Sequence, residues 1–366
     1  SEMCIRDRIY NLQILRAFAA ILVFFYHSEI YWKDILPSTW FFYLGLAGVD
    51  IFFVLSGFIM AATTASRDIT ASSFLSHRIF RVVPLYWIIT LFFTFLFLSG
   101  FNPVGVTELT PEYFLKSLFF IPFLRSGAAE PIVTVGWTLN YEIFFYLIFS
   151  ICLLIPRIQL RHPAVAILIL ITLLPRFFGS QNFYATYYGN PIILEFCFGI
   201  ACYHCLAWME KTCEPNRILP FAAAFLVLSL VFLLAPTFTF SGTGASSYFS
   251  AFVRPFTWGL ASFFIVLSAV SLERAGHIWR RFGFIEIGNA SYSIYLIHGL
   301  MLHGASKVAK ILSSDPLTFA LVTTIGALVL SIAAGLIMFR YVEAPLNKSL
   351  RGSFTRFLAK PSPSTG

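Results

Sequence analysis

About ten apolar runs of roughly 20 residues each divide this chain, the length a helix needs to cross the hydrocarbon of a bilayer. They read as 10–31, 41–63, 79–99, 137–155, 163–179, 191–208, 217–235, 251–271, 284–304 and 317–341. Inside a bilayer every backbone N–H and C=O must be satisfied within the protein, so such runs fold as helices. The expected fold class is all-α, a polytopic membrane protein with about ten transmembrane helices. Only 11% of the 366 residues are charged, against about 25% in a soluble domain. One membrane domain, 9–350, therefore uses nearly all of the length. Residues 1–8 read as a non-native or disordered start, and 351–366 as a cytoplasmic tail.

With a cytoplasmic N-terminus, only Lys33, Lys116, Arg125, Arg176, Arg254, Lys307 and Lys310 of the 25 basic residues fall outside. That bias is the positive-inside pattern, and it puts both termini in the cytoplasm of a multi-pass protein of the inner (plasma) membrane. The same loops account for the net charge of +8, and no Gly-rich phosphate loop or basic–aromatic module points to nucleic acid. Cys202-Tyr-His-Cys205 has metal-like spacing without a second ligand pair, so small buried cysteines are expected and no metal.

Against this background the ionisable residues inside the runs stand out. Arg at the centre of a membrane helix costs about 2.5–3.5 kcal/mol by insertion scales, so such groups face the protein interior or a water-filled cavity. The first run carries Arg16 and His27. Their spacing amounts to three turns plus about 20°, with a rise of about 16 Å, which puts both on one helix face. Asp50 lies in the outer half of the second run, in Gly48-Val-Asp-Ile-Phe-Phe-Val-Leu-Ser-Gly57. The best cation for it is His27, held in one tautomer and made more basic. Gly48, Ser56 and Gly57 suit close helix approach.

Arg78 and Arg81, spaced i, i+3, open the third run at the inner surface. They read either as positive-inside anchors or as a fork for the phosphates of a cytosolic ligand. The prolines at 84, 175, 191 and 255 fall near run ends. In Gly136-Trp-Thr-Leu-Asn-Tyr-Glu142, Trp137 and Tyr141 fit an aromatic belt, whereas Glu142 reads as functional. Glu195 is a further intramembrane carboxylate. Ser291, Tyr295 and His298 share a face, either as an interhelix seam or as a substrate lining. Arg340 and Glu343 are expected to pair at the inner surface.

Taken together, these segments resemble the integral-membrane acyltransferase family 3, whose members O-acylate sugars and other acceptors. The resemblance covers about residues 10–350. It is carried by Arg16 with ten residues before His27, GVDIFFVLSGF at 48–58 and Arg78-Ile-Phe-Arg81 with Pro84. It continues through GWTLNYEIFFY at 136–146, LEFCFG at 194–199, SYSIYLIH at 291–298 and VEAP at 342–345. It implies an acyl-CoA donor on the cytoplasmic side, acetyl-CoA by default, and an acceptor approached from the membrane or outside. It also implies roles for Arg16, His27, Asp50, Arg78, Arg81 and Glu142. Some relatives carry a fused extracytoplasmic hydrolase-like domain. None is read here, so transfer is expected to finish within the membrane. The chain is most similar to stand-alone members acting on exopolysaccharide, lipopolysaccharide or lipid-linked sugars.

The residue pattern agrees with that expectation. Arg16, Arg78 and Arg81 gather at the inner surface, where CoA carries its phosphates, and His27, Asp50 and Glu142 gather in the outer half. A pantetheine arm spans such a gap. His27, partnered by Asp50 or Glu142, is the expected general base on the acceptor hydroxyl, a contribution of about 10²–10⁴-fold. Trp137, Glu195, Ser291, Tyr295 and His298 are the expected substrate lining, with Ser291, Tyr295 and Trp137 as candidate oxyanion donors. A proton-coupled transporter using His27, Asp50, Glu142 and Glu195 as a relay is the rival reading. The missing internal repeat and the arginine pair stand against it.

Overall fold

A computed structural model describes residues 9–37, 39–65, 69–102, 108–125, 129–155, 161–212, 215–239, 252–280 and 282–358. The basic residues at 6, 8, 67, 157, 281 and 360, and Cys4 and Cys213, lie outside them. Among the described residues the chain is all-helical. The longer helices are α1 (Tyr10–Ser28), α2 (Ala47–Thr64), α3 (Ala71–Leu98), α4 (Trp137–Cys152) and α5 (Arg161–Phe177). They continue with α6 (Leu194–Thr212), α7 (Pro215–Thr239), α8 (Leu260–Arg274), α9 (Ser291–Leu312), α10 (Pro316–Met338) and α11 (Ala344–Leu358). Among the described residues, seven helical segments are long and apolar enough to cross a membrane. The apolar runs expected at 163–179 and 217–235 coincide with the shorter stretches Pro163–Phe177 and Ile218–Leu234. The run at 284–304 falls mostly on α9, whose serines, histidines and lysines make it more polar.

Helix α2 is the hub, packed against α6 on one side and α1 on the other. Its crossings depend on glycine. A Cβ at Gly57 would run into the Phe196 carbonyl of α6, and one at Gly199 into the Val54 carbonyl of α2. A Cβ at Gly48 would meet the Ala19 carbonyl of α1. Small residues let membrane helices approach backbone to backbone, which is the packing expected of Gly48 and Gly57. Phenylalanine fills the wider gaps: Phe196 stacks on Phe145 at 4.3 Å and meets Phe53 at 4.7 Å between ring centres. Phe92, Phe95, Leu173, Val227, Val231 and Val329 are exposed, an apolar exterior of the kind that faces lipid.

The N-terminus of α1 has no side-chain cap of its own. The Glu273 carboxylate at the end of α8 caps it instead, accepting from the Tyr10 and Asn11 amides at 2.9 and 2.7 Å. Asn11 extends the lock, donating to the Ala269 and His277 carbonyls at 3.0 and 3.1 Å. An acidic group at a helix N-terminus satisfies orphan amides and complements the dipole.

Two local expectations change. Pro84 lies inside α3, not near its end, because the Thr70 hydroxyl accepts from the Ser73 amide and starts the helix at Ala71. Arg78 and Arg81 therefore sit within a continuous helix. Arg340 and Glu343 do not pair. A π turn over Phe339–Glu343 widens the helix there, and buried Glu343 accepts from Ser293 Oγ at 2.6 Å while Arg340 is exposed.

Candidate active site

A cleft of about 90 Å³, partly open to the exterior, lies among α1, α2, α3, α4 and α9. One helix after another contributes a polar group to it: Arg16 from α1, Ser56 from α2, Arg78 and Arg81 from α3, Glu142 and Tyr146 from α4, and Ser291 and Tyr295 from α9. The i, i+3 spacing on α3 brings both its arginines to this one wall. Arg78 donates to Thr63 Oγ1 at 3.3 Å and lies over the Phe74 ring at 5.7 Å, while its Nε is buried without a partner. A buried guanidinium N–H left unpaired is costly unless a ligand accepts from it. Glu142 is the carboxylate of this wall. It accepts from Ser56 Oγ at 3.2 Å and from the Tyr146 hydroxyl one turn along α4. Three guanidinium groups facing one carboxylate leave the cleft net positive, an arrangement suited to phosphate.

Asp50 does not line the cleft, and the expectation that it partners His27 is overturned. Both of its oxygens are held by Arg254, Nε to Oδ1 at 3.1 Å and Nη2 to Oδ2 at 2.8 Å, with both side chains buried. Arg254 sits just ahead of the π turn Pro255–Gly259 that leads into α8. A guanidinium is permanently charged and matches a carboxylate as a two-pronged fork, so it displaces an imidazole from this role. Arg254 is also no topological signal, despite its place among the outer cations. Glu195 lies beside Asp50, fully buried against Gly259.

His27 stands apart from both carboxylates. Its neighbours are aromatic: Tyr26 at 5.0 Å and His298 at 5.0 Å between ring centres. His298 is 1% exposed, and its Nδ1 is 2.7 Å from the Tyr295 carbonyl oxygen. The Tyr295 ring, 5.9 Å from that of His298, forms part of the cleft wall. Tyr295 thus stands between the arginine-lined cleft and the histidine pair. Its hydroxyl is engaged with Thr138 Oγ1 at 2.9 Å and the Val135 carbonyl at 3.0 Å. Ser291 Oγ, also on the wall, is buried and unpaired.

Of the expected substrate lining, Ser291 and Tyr295 reach the cleft. Trp137 packs edge-on to Tyr141 and accepts from the Tyr187 hydroxyl through its carbonyl. Glu195 belongs to the Asp50–Arg254 cluster, and His298 lies behind Tyr295. Sequence reasoning missed Arg254, whose signal was an arginine inside the apolar run 251–271. It also missed Tyr146, whose signal was its i+4 spacing from Glu142. Nothing local in the chain announces that His298 meets His27. Cys202 is buried and Cys205 half-buried in α6, both as free thiols.

Among the described residues, then, an all-helical scaffold holds a cleft lined by three arginines beside a histidine pair. The profile described as acyltransferase domain, that of acyltransferase family 3, matches residues 9–336, and the chain belongs to that family. It is a multi-pass membrane enzyme, an O-acyltransferase. It is 31% identical over 312 residues to the exopolysaccharide production protein ExoZ of Rhizobium meliloti, covering 83% of this chain and 90% of that one. It is 28% identical to nodulation protein 10 of Rhizobium leguminosarum bv. viciae, over 80% of this chain and 83% of that protein. It is 23% identical to the peptidoglycan O-acetyltransferase OatA of Listeria monocytogenes, over 94% of this chain and 56% of OatA. No solved structure matches.

Proposed function

We propose that this enzyme moves an acyl group, acetyl by default, from cytoplasmic acyl-CoA to a hydroxyl of an exopolysaccharide or lipid-linked saccharide, with His27 as the general base. The observation that carries this reading is the cleft itself. Arg16, Arg78 and Arg81 converge on it with a buried guanidinium N–H unfilled, and its far wall, Tyr295, backs onto His298 and His27. CoA phosphates suit the arginine side, and the thin pantetheine arm suits the path toward Ser291 and Tyr295. The likeness to the exopolysaccharide production protein ExoZ supports the acceptor class. About ten membrane helices, with both termini in the cytoplasm of a plasma-membrane protein, turn the arginine end toward the CoA pool.

In this reading His27 removes the acceptor hydroxyl proton as that oxygen attacks the thioester carbonyl. The tetrahedral intermediate then collapses, the C–S bond breaks, and the CoA thiolate leaves and recovers the proton. Ser291 Oγ, unpaired on the cleft wall, donates to the oxyanion, because the Tyr295 hydroxyl is already engaged. Asp50 acts through Arg254 as a brace for α2, and Glu142 with Tyr146 keeps the arginines spaced. An acetyl-His27 intermediate is a variant that would leave label on the enzyme when acceptor is withheld.

Mass spectrometry of extracellular and cell-surface glycans from cells with and without the gene tests the function. A lost ester mass on one glycan is expected and names acyl group and acceptor together. Identical glycan spectra contradict the proposal.

A further inference from the structure

The carboxylates that triad logic assigns to His27 are both engaged elsewhere, Asp50 with Arg254 and Glu142 with Ser56 and Tyr146. A base that is not held turns freely and spends part of its time in the wrong tautomer. What lies beside His27 instead is a second imidazole. His298 Nδ1 is 2.7 Å from the Tyr295 carbonyl oxygen. A carbonyl only accepts, so Nδ1 carries the proton and Nε2 presents its lone pair. That Nε2 is buried with no partner. The two ring centres are 5.0 Å apart and tilted by 45°. No bond joins them in the resting structure, so the His27 ring must turn toward the His298 Nε2, whose ring the Tyr295 carbonyl holds in place, to make an N–H···N bond.

We propose that His298 is the positioning residue for His27, its Nε2 accepting the His27 ring N–H so that the other His27 nitrogen faces the acceptor hydroxyl as base. The result is a relay of fixed direction: the Tyr295 carbonyl accepts from His298 Nδ1–H, His298 Nε2 accepts from His27, and His27 accepts from the substrate. When His27 takes the hydroxyl proton, its bond to His298 becomes charge-assisted and stronger, so the interaction favours the reacting state over the resting one. His298 keeps its own proton throughout, and the proton on His27 passes to the departing thiolate. A neutral imidazole does here what a carboxylate does in the Ser-His-Asp arrangement. It does so without adding a second unpaired charge to a buried site. This inference rests on the reading of His27 as base.

The test uses the full chain in detergent or nanodiscs, with [14C]acetyl-CoA as donor. The acceptor is alkali-deacylated exopolysaccharide from the host culture. H298L removes the acceptor nitrogen. H298Q returns a carbonyl oxygen near the Nε2 position. H298N carries an amide that stops short of it and replaces H298L if melting shows that variant misfolded. The expected result is a kcat loss of about tenfold to a hundredfold in H298L or H298N, with KM for acetyl-CoA unchanged and most of kcat restored in H298Q. In the H27A background, H298L should add no further loss, because residues acting as a unit are not additive. Equal losses in H298Q and H298L, losses that multiply in the double variant, or a raised KM for acetyl-CoA overturn the proposal. H27A with near wild-type kcat overturns the base assignment on which it rests. A wild-type enzyme without transfer contradicts the function itself. The 15N shifts of the two histidines then decide separately, with an Nδ1-protonated His298 and a hydrogen-bonded Nε2 expected, and an Nε2-protonated His298 contradicting it.

Discussion

A carboxylate in a dry interior belongs to whichever permanent cation reaches it, and for Asp50 that is Arg254. Removing one member of such a pair strands the other, at a cost of about 3–5 kcal/mol, whereas replacing both with apolar groups of similar volume is often neutral. R254M is accordingly expected to melt far below wild type and the double variant D50L/R254M to recover much of the loss, as read by thermal unfolding in detergent. Equal melting of the single and double variants would show that the pair does not brace α2. Ser291 makes a contrasting prediction, since its hydroxyl is unpaired in the resting structure. S291A should leave stability and acetyl-CoA affinity unchanged while lowering kcat by about 10²-fold, the scale of one lost oxyanion donor. An unchanged kcat would remove Ser291 from the chemistry. At this scale the sequence exposed the unusual residues but not their partners. Arg16, His27, Asp50, Glu142 and Glu195 each stood out as ionisable in an apolar run. Whether Asp50 meets an imidazole or a guanidinium depends on how α8 docks against α2, and no local pattern carries that.

Helix crossings and caps govern the next scale. Gly57 and Gly199 meet where α2 crosses α6, and any side chain there strikes backbone that cannot give way. G57V should destabilise the protein by about 1–3 kcal/mol through overpacking, measured as a lower melting temperature. A wild-type melt would mean that the crossing is looser than described. At the start of α10, Asp315 Oδ2 accepts from the Thr318 amide and hydroxyl at 2.8 and 2.7 Å. The Thr318 amide, then its hydroxyl, holds the Asp315 carboxyl below the ordinary aspartate range. A depressed carboxylate stabilises the folded state above its unfolded pKa and loses that contribution as pH falls through its folded one. The melting difference between wild type and D315A should be full near neutrality and shrink as pH falls below the usual carboxylate range. A difference that is constant with pH would contradict the cap. Elements were the most legible level, because a run of about 20 apolar residues leaves the backbone no alternative to a helix. Helix ends were less so. The Thr70 cap lengthens α3 past Pro84, and the π turn at Phe339–Glu343 rotates Glu343 away from Arg340.

Across the whole molecule, α1 ties the two halves of the reaction together. Arg16 near its start faces the arginine cleft, and His27 near its end meets His298. On the proposed reading, donor binding and proton transfer lie at different ends of one helix, so variants should separate them. R78A/R81A is expected to weaken acetyl-CoA binding by tenfold or more, since a hydrogen bond to a charged group contributes about 1.5–3 kcal/mol. Titration with CoA measures this, and an unchanged affinity would return these arginines to a topological role. The most direct check of the account is the turnover of H27A beside its CoA affinity, with labelled acetyl-CoA and a deacylated exopolysaccharide acceptor. The account predicts that transfer falls by about 10²–10⁴-fold while CoA binds as in wild type. Near wild-type transfer by H27A would contradict it.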